Sequence, residues 1–143
     1  MDVQAGSLVL LPGTLQWDRL SEEAGRSYRI YVSLPPGPVP ADGYPLLLVL
    51  DAEQFVFGAV QEARMRGALG DIGAPLIVAI GYGDCDPALA HQRRIEDFGV
   101  IAPDGASQFC RFLVSELLPW IEAQWPVDPA RRGIFGFSLG GVT

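Results

Sequence analysis

The sequence predicts an α/β fold, in which helices cover both faces of a mostly parallel central sheet. Three observations support this prediction. The chain has 143 residues, of which 49 % are hydrophobic, enough for one domain with its own core. Three short apolar runs lack polar alternation, so both faces of each strand should be buried. Longer stretches with helical spacing separate these runs and can supply the crossover helices that parallel strands require.

Five strands are predicted in chain order. The first two lie at about 7–11 ("SLVLL") and 27–34 ("SYRIYVSL"), before a turn rich in proline and glycine. The second strand alternates apolar and polar residues, which indicates one wetter face. The unbroken apolar runs predict the other three strands, at about 45–51, 75–81 and 133–137.

Two helices are predicted between these strands, at about 53–68 and 107–125. The second carries a long apolar stripe, and Ser107 can cap its first turn. Pro119 lies inside this helix and removes one backbone hydrogen bond, so we expect a kink there.

Composition excludes several function classes. Acidic residues outnumber basic ones by 17 to 10, and the net charge of −7 disfavours nucleic acid as a partner. The apolar run Leu8–Leu11 is too short for a membrane helix or a signal segment, and no basic residue precedes Arg19, so a cytoplasmic location is expected. Cys85 and Cys110 lack metal-site or redox spacing, which predicts free thiols; we expect no bound metal.

A possible nucleophile lies near the end of the sequence. Gly136 to Gly140, "GFSLG", fits the pattern G-x-S-x-G, in which a strand turns sharply into a helix. Both glycines are expected because this turn leaves no room for side chains. The turn would strain Ser138 and project its hydroxyl beyond the sheet, with the Leu139 N–H as half of an oxyanion hole. The alternative is an ordinary glycine-rich turn, but the preceding buried strand favours the nucleophile.

The second half of the oxyanion hole is expected in the loop after the strand at 45–51. The backbone N–H of Ala52 or Glu53 is the candidate donor, and we favour Ala52. Asp51 precedes them at the end of the strand. We expect its carboxylate to cap the following helix rather than to act directly in catalysis.

Four segments carry a resemblance to a known family: "SYRIYVSLPPG", "YPLLLVLDAEQF", "RRIEDF" and "FLVSELLPWIEAQWPVDPARRGIFGFSLGG". In order and spacing they resemble the N-terminal half of the putative-esterase family of α/β-hydrolases, which includes enterochelin and related siderophore esterases. The resemblance implies an α/β-hydrolase fold and an acyl-enzyme formed on Ser138 from a small-molecule ester, without a metal or other cofactor. It also places strand 133–137 beside strand 45–51. Ala52 and Phe137 depart from the family's usual glycine and histidine or tyrosine.

Two arginines of the "RRIEDF" segment have open roles. The resemblance makes Arg93 and Arg94 candidates for a loop that contacts substrate. The alternative is an ion pair with Glu96 or Asp97 that shapes the loop, and we favour this alternative.

The partners of the serine are missing from the sequence. In α/β-hydrolases an acid and then a histidine follow the nucleophile, and residues 139–143 contain neither. The one histidine, His91, precedes Ser138 in "DPALAHQRR", a predicted loop, and is expected to be a bystander. Residues 1–143 are therefore predicted to be a single incomplete domain, truncated after the nucleophile elbow and inactive alone. The alternative is an inactive remnant that binds at most a ligand or partner; the bare edge of strand 133–137 predicts self-association.

Overall fold

The computed structural model of the chain describes residues 7–70, 73–101 and 103–141. Within these residues five strands form one sheet in the order β1-β2-β4-β3-β5. The strands are β1 (Thr14–Ser21), β2 (Arg26–Ser33), β3 (Tyr44–Leu50), β4 (Leu76–Gly81) and β5 (Val127–Phe135).

Four α-helical segments accompany the sheet. They are α1 (Ala52–Leu69), α2 (Pro87–Asp97), α3 (Pro103–Arg111) and α4 (Leu118–Gln124). A π-helical segment, Phe112–Leu117, joins α3 to α4. A short 3₁₀ turn, Ser138–Gly141, follows β5.

The predicted α/β architecture is confirmed. Strands β3, β4 and β5 run parallel, whereas β1 and β2 pair antiparallel to each other and β2 pairs antiparallel to β4. Strand β3 lies between β4 and β5, as expected for the runs at 45–51 and 133–137. Its register sets Val49 opposite Phe135, so the carboxyl ends of the two strands reach the same edge of the sheet.

Helices cover the sheet on both faces. On one face Val56 and Val60 of α1 pack against Val49. On the other face Phe112, Leu117 and other residues of the α3–α4 helical stretch pack against β2, β3 and β4. Every residue of β4 is buried, which explains why this run is apolar without alternation.

The first predicted strand is wrong. Residues 7–11 form no strand, and the side chains of Leu8, Val9 and Leu10 are 91 %, 88 % and 79 % exposed. The first strand is instead β1, an edge strand of mixed polarity. Its Trp17 packs edge-on against Trp120, with ring centroids 5.3 Å apart. Strand β1 pairs with β2 along its whole length. Because backbone hydrogen bonds hold it in the sheet, β1 needs few apolar residues, and its sequence shows little hydrophobic pattern.

The helix predicted at 53–68 is confirmed as α1, but the one predicted at 107–125 begins earlier, at Pro103. Ser107 therefore lies inside α3, and its predicted capping role is wrong. Before Pro119 the helix widens, and Leu118 N–H donates to the Leu113 carbonyl, five residues back. The disruption expected from the missing proline N–H thus takes the form of a π-helical segment.

Two further elements, α2 and β5, differ from the sequence predictions. The segment around His91, predicted as a loop, is the helix α2. Asp86 caps it, since its Oδ1 accepts hydrogen bonds from the N–H groups of Ala88 and Leu89 at 2.9 and 3.2 Å, and Pro87 occupies its first position. Strand β5 begins at Val127, earlier than the predicted 133, and ends at Phe135 rather than 137.

Two other findings bear on the sequence expectations. Among the helices of the described residues, none combines the length and apolar character needed to cross a bilayer. Cys85, in the loop before α2, and Cys110, on α3, are both free thiols.

Candidate active site

Ser138 lies just beyond the carboxyl end of β5 and begins the 3₁₀ turn. Its φ is +54°, a left-handed backbone conformation that residues with a side chain rarely adopt. Over residues 7–70, 73–101 and 103–141, Asp51 is the one other non-glycine residue with positive φ, also +54°. Such conformations cost about 1–3 kcal/mol and persist where the surrounding structure enforces them. The Ser138 side chain is exposed to solvent.

The two glycines that flank the serine differ in how much space they have. A Cβ placed on Gly136 would overlap the carbonyl group of Gly140 and would lie 3.0 Å from the nitrogen of Gly141. A Cβ placed on Gly140 would lie 3.4 Å from Cε2 of Phe98 and 3.6 Å from Oδ2 of Asp51, which are ordinary contacts. The expectation that neither position has room for a side chain is therefore wrong at Gly140.

The sheet register brings the predicted oxyanion donors to one edge. Val49 faces Phe135 across the β3–β5 ladder, so Ala52 and Ser138 each lie three residues beyond a paired position. Ala52 is fully buried and is the first residue of α1, where a backbone N–H has no acceptor within its own helix. Leu139 follows Ser138 and packs against the larger core cluster. Both candidate donors thus follow the ends of neighbouring parallel strands.

Asp51 does not cap α1. It stands at the N-cap position, but its side chain makes no capping hydrogen bond, and its φ and ψ are both 54° rather than the extended values typical of a cap. Its carboxylate instead accepts two hydrogen bonds from Arg94, Nε to Oδ1 at 2.7 Å and the guanidinium NH2 group to Oδ2 at 2.9 Å. The Asp51 side chain is only 4 % exposed. The expected capping role is therefore wrong: Asp51 forms a bidentate ion pair with Arg94 instead.

Arg94 also reaches the turn that carries Ser138. The same guanidinium NH2 group donates to the carbonyl oxygen of Phe137 at 3.2 Å. The ion pair predicted between Arg94 and Glu96 or Asp97 is wrong, because both carboxylates pair with Arg26, at 2.7 and 3.4 Å. Glu96 lies two residues after Arg94 on α2, a spacing at which side chains do not face each other. Asp97 is three residues after Arg94, but its carboxylate accepts hydrogen bonds from Tyr28 and Tyr82 instead.

Arg93, the other predicted loop residue, lies beside Arg94 on α2. Its backbone carbonyl accepts a hydrogen bond from Arg26 at 3.4 Å. The described contacts of Arg93 therefore tie α2 to β2 and do not link it to the turn at Ser138.

A second buried polar cluster supports the end of α2. The hydroxyls of Tyr28 and Tyr82 both donate to Oδ2 of Asp97 at 2.9 Å. Burial raises the pKa of the Asp97 carboxyl and, together with the nearby Asp97 charge, the pKa of both tyrosine hydroxyls. Sequence reasoning missed this cluster, because its three members come from β2, the end of β4 and α2. It anchors the helix that presents Arg94.

A cavity of about 220 Å³ adjoins the turn on the α3 face of the sheet. Apolar side chains and backbone line most of it: Leu50, Phe109, Cys110, Leu113, Ile134, Gly136, Gly140 and Gly141. Among the side chains that the structure describes, no group of three or more His, Cys, Asp or Glu residues could hold a metal ion.

Comparison with known proteins supplies the family context. A family model described as "Putative esterase" matches residues 21–143. The chain is 37 % identical over 153 aligned positions to ferri-bacillibactin esterase BesA of Bacillus subtilis, covering 92 % of this chain and 52 % of that protein. It is 28 % identical to apo-salmochelin esterase of Escherichia coli O6:H1, covering 85 % of this chain and 42 % of that protein.

A solved structure shows the same fold. The crystal structure of the BES protein from Bacillus cereus superimposes with a TM-score of 0.86 at 28 % identity, covering 99 % of this chain and 58 % of that one. The chain therefore spans about half the length of each of these three relatives.

Proposed function

As this chain belongs to the "Putative esterase" family, whose model covers residues 21–143, we propose that it forms part of a serine hydrolase of carboxylic esters with Ser138 as nucleophile. The observation that carries this proposal is the φ of +54° at Ser138, at the end of a parallel strand and inside a G-x-S-x-G turn. A strained serine there presents its hydroxyl beyond the sheet, where an ester carbonyl can reach it.

The proposed reaction proceeds through an acyl-enzyme. Ser138 Oγ attacks the ester carbonyl carbon while a base takes the hydroxyl proton, and the carbonyl electron pair moves onto oxygen. Backbone N–H groups of Leu139 and Ala52 donate to this oxyanion. When the carbonyl re-forms, the alcohol leaves with the proton, and water then releases the acid by the same steps. Because the chain spans about half of its relatives, we assign the base and the acid that orients it to the remaining half of the domain.

The names of the relatives suggest a substrate class. The Bacillus subtilis relative is a ferri-bacillibactin esterase, and the Escherichia coli relative is an apo-salmochelin esterase. On this basis the proposed substrate is an ester linkage of a siderophore. The same nucleophile and oxyanion donors would also accept simpler activated esters, which makes a chromogenic ester a suitable first probe.

The test uses the product of the complete coding sequence. With p-nitrophenyl butyrate, Ser138→Ala should lower kcat by roughly 10³-fold or more, because the attacking oxygen is lost. His91→Ala is the matched control: His91 is exposed on α2, and its loss should change kcat little. A fluorophosphonate should label Ser138 in the parent protein, located by mass spectrometry.

Two results would contradict the proposal. Turnover at the parental rate by Ser138→Ala would remove this residue from the mechanism. A loss in His91→Ala equal to that in Ser138→Ala would assign the base to His91, and the 143-residue chain would then carry its own base.

A further inference from the structure

We propose that Glu53 is a positioning residue for the backbone N–H of Ala52. Its side chain ties the first turn of α1, which holds this oxyanion donor, to the loop that follows β4. The carboxylate exchanges no proton with the substrate and acts only as a hydrogen-bond acceptor that keeps two backbone segments at a fixed spacing. The assignment rests on the proposed function, because it concerns the same site.

The contact that carries this proposal joins Glu53 to Gly83. Oε1 of Glu53 accepts a hydrogen bond from the Gly83 N–H at 2.7 Å. Glu53 directly follows Ala52 in the first turn of α1, and Gly83 lies two residues beyond Gly81, the last residue of β4. A hydrogen bond to an ionised acceptor is stronger than a neutral one. One side chain therefore links the chain that leaves β3 to the chain that leaves its parallel neighbour β4.

The end of β4 is shaped to admit this carboxylate. A Cβ placed on Gly81 would overlap the Glu53 carboxylate, whose two oxygens and Cδ are the three atoms nearest to it. Gly81 is buried, and its φ is not positive, so its backbone conformation does not call for glycine. The position of the Glu53 side chain therefore explains why residue 81 has none.

The loop that receives Glu53 is held from its other side as well. Gly83 has a φ of +70°, and a Cβ there would lie 3.1 Å from the guanidinium carbon of Arg29 on β2. This guanidinium donates to the carboxylates of Asp84 and Asp18, at 2.8 Å in each case. The Arg29 side chain is 13 % exposed. Because the loop is fixed to β2 in this way, it can give the first turn of α1 a firm support.

The Ala52 N–H needs such a support because the chain before it is strained. This N–H belongs to the peptide unit between Asp51 and Ala52, and the φ of Asp51 is +54°. Strained conformations persist only where their surroundings enforce them. Glu53 anchors the residue that follows this peptide unit. Without that anchor the peptide unit can rotate, and its N–H then no longer points at the developing oxyanion.

Two other roles for Glu53 make different predictions. A carboxylate that exchanged a proton during the reaction could not be replaced by glutamine. A carboxylate that bound substrate would mainly affect KM. A positioning residue affects kcat at nearly constant KM, because the donor is needed only as charge develops in the transition state. Its role can also be taken over by glutamine, whose amide oxygen accepts the same hydrogen bond.

The experiment compares Glu53→Ala, Glu53→Gln and the control Glu62→Ala in the product of the complete coding sequence. Glu62 lies on the same helix in an exposed ion pair with Arg66. Glu53→Ala should lower kcat for p-nitrophenyl butyrate roughly 10-fold, with KM within about two-fold of the parent. Glu53→Gln should restore kcat to within about three-fold of the parent. Glu62→Ala should match the parent.

The effect on kcat is separable from an effect on stability. Glu53 is exposed, so Glu53→Ala should change Tm little. Hydrogen exchange of a peptide covering 81–86 should become faster in Glu53→Ala and stay parental in Glu53→Gln. This measurement reports on the contact with Gly83 whether or not the protein hydrolyses esters.

A second substitution displaces the carboxylate without removing it. In Gly81→Ala the new methyl group takes the space of the Glu53 carboxylate, which ends a flexible side chain and can turn away. The loss of kcat should equal that in Glu53→Ala. In the double variant the two losses should not add, since both changes break one contact.

Four outcomes would overturn the assignment. They are parental kcat in Glu53→Ala, a loss in Glu53→Gln equal to that in Glu53→Ala, a raised KM with unchanged kcat, and full additivity in the double variant. Failure of the proposed function is separate: Ser138→Ala would then retain activity. If Ser138→Ala is inactive while Glu53→Ala is fully active, only the role of Glu53 is refuted.

Discussion

Replacing Gly136 by alanine should destabilise the turn, whereas the same change at Gly140 should not. At Gly136 the added Cβ would overlap the backbone carbonyl of Gly140, and backbone cannot rotate away as a side chain can. Overpacking of this kind costs about 1–3 kcal/mol. At Gly140 the added Cβ meets the Phe98 ring and Asp51 Oδ2 at 3.4 and 3.6 Å, so the free energy of unfolding should change by less than about 0.5 kcal/mol.

Thermal denaturation measures the difference between the two variants. For a domain of this size each kcal/mol lowers Tm by roughly 3–4 °C, so Gly136→Ala should melt about 3–12 °C below the parent. Because the turn can also open locally without global unfolding, hydrogen exchange of a peptide covering 134–141 should accompany the melts. Faster exchange is expected in Gly136→Ala and parental exchange in Gly140→Ala. Equal Tm and equal exchange in both variants, or a greater loss in Gly140→Ala, would refute the steric reasoning.

Two further predictions concern other parts of the molecule. Although partial burial opposes the shift, hydrogen bonds from Ser21 Oγ at 2.6 Å and from the N–H groups of Glu22 and Glu23 hold the pKa of Glu116 below 4.5. Its contribution is therefore complete above pH 4.5 and is lost as pH falls through the lowered pKa. Glu116→Gln should cost about 1 kcal/mol in urea denaturation at pH 7 and less as the pH is lowered below 4.5; a loss that does not change with pH would contradict this. The 143-residue chain expressed alone should self-associate through β5, which among the described strands pairs only with β3 and leaves Ile134 57 % exposed. Light scattering should show that Ile134→Lys restores a monomer, and a monomeric parent chain would refute the prediction.

The parts of the fold that the sequence predicted well are those whose physical cause is local. Strands β3 and β4 are buried on both faces, so their residues must be apolar in an unbroken run. Strand β1 was not predicted, because it lies at the edge of the sheet, is held by its pairing with β2, and needs few apolar residues. Helix α2 begins with a recognisable signal, Asp86 followed by Pro87, but it contains few large apolar residues because much of its surface faces solvent.

The same distinction holds within the candidate site. The turn at Ser138 was predicted from a five-residue pattern, because the steric demand at Gly136 acts over a few residues. The partner of Arg94 was not predicted. Glu96 and Asp97 are its neighbours in the sequence, yet Arg94 pairs with Asp51, 43 residues away. That choice depends on the left-handed backbone at Asp51 and on how α2 packs against the sheet, and neither can be deduced from local spacing.

The sheet register explains why Asp51 and the turn at Ser138 are close enough for the Arg94 side chain to contact both. Strands β3 and β5 are parallel neighbours with Val49 opposite Phe135, so Asp51 and Phe137 lie equally far beyond the last paired residues. A shift of one residue in this register would move the Phe137 carbonyl by about 3.3 Å relative to Asp51, beyond the reach of a single guanidinium. The bridge made by Arg94 therefore depends on the β3–β5 pairing, and substitutions that loosen this pairing should disturb the site even when they lie far from Ser138.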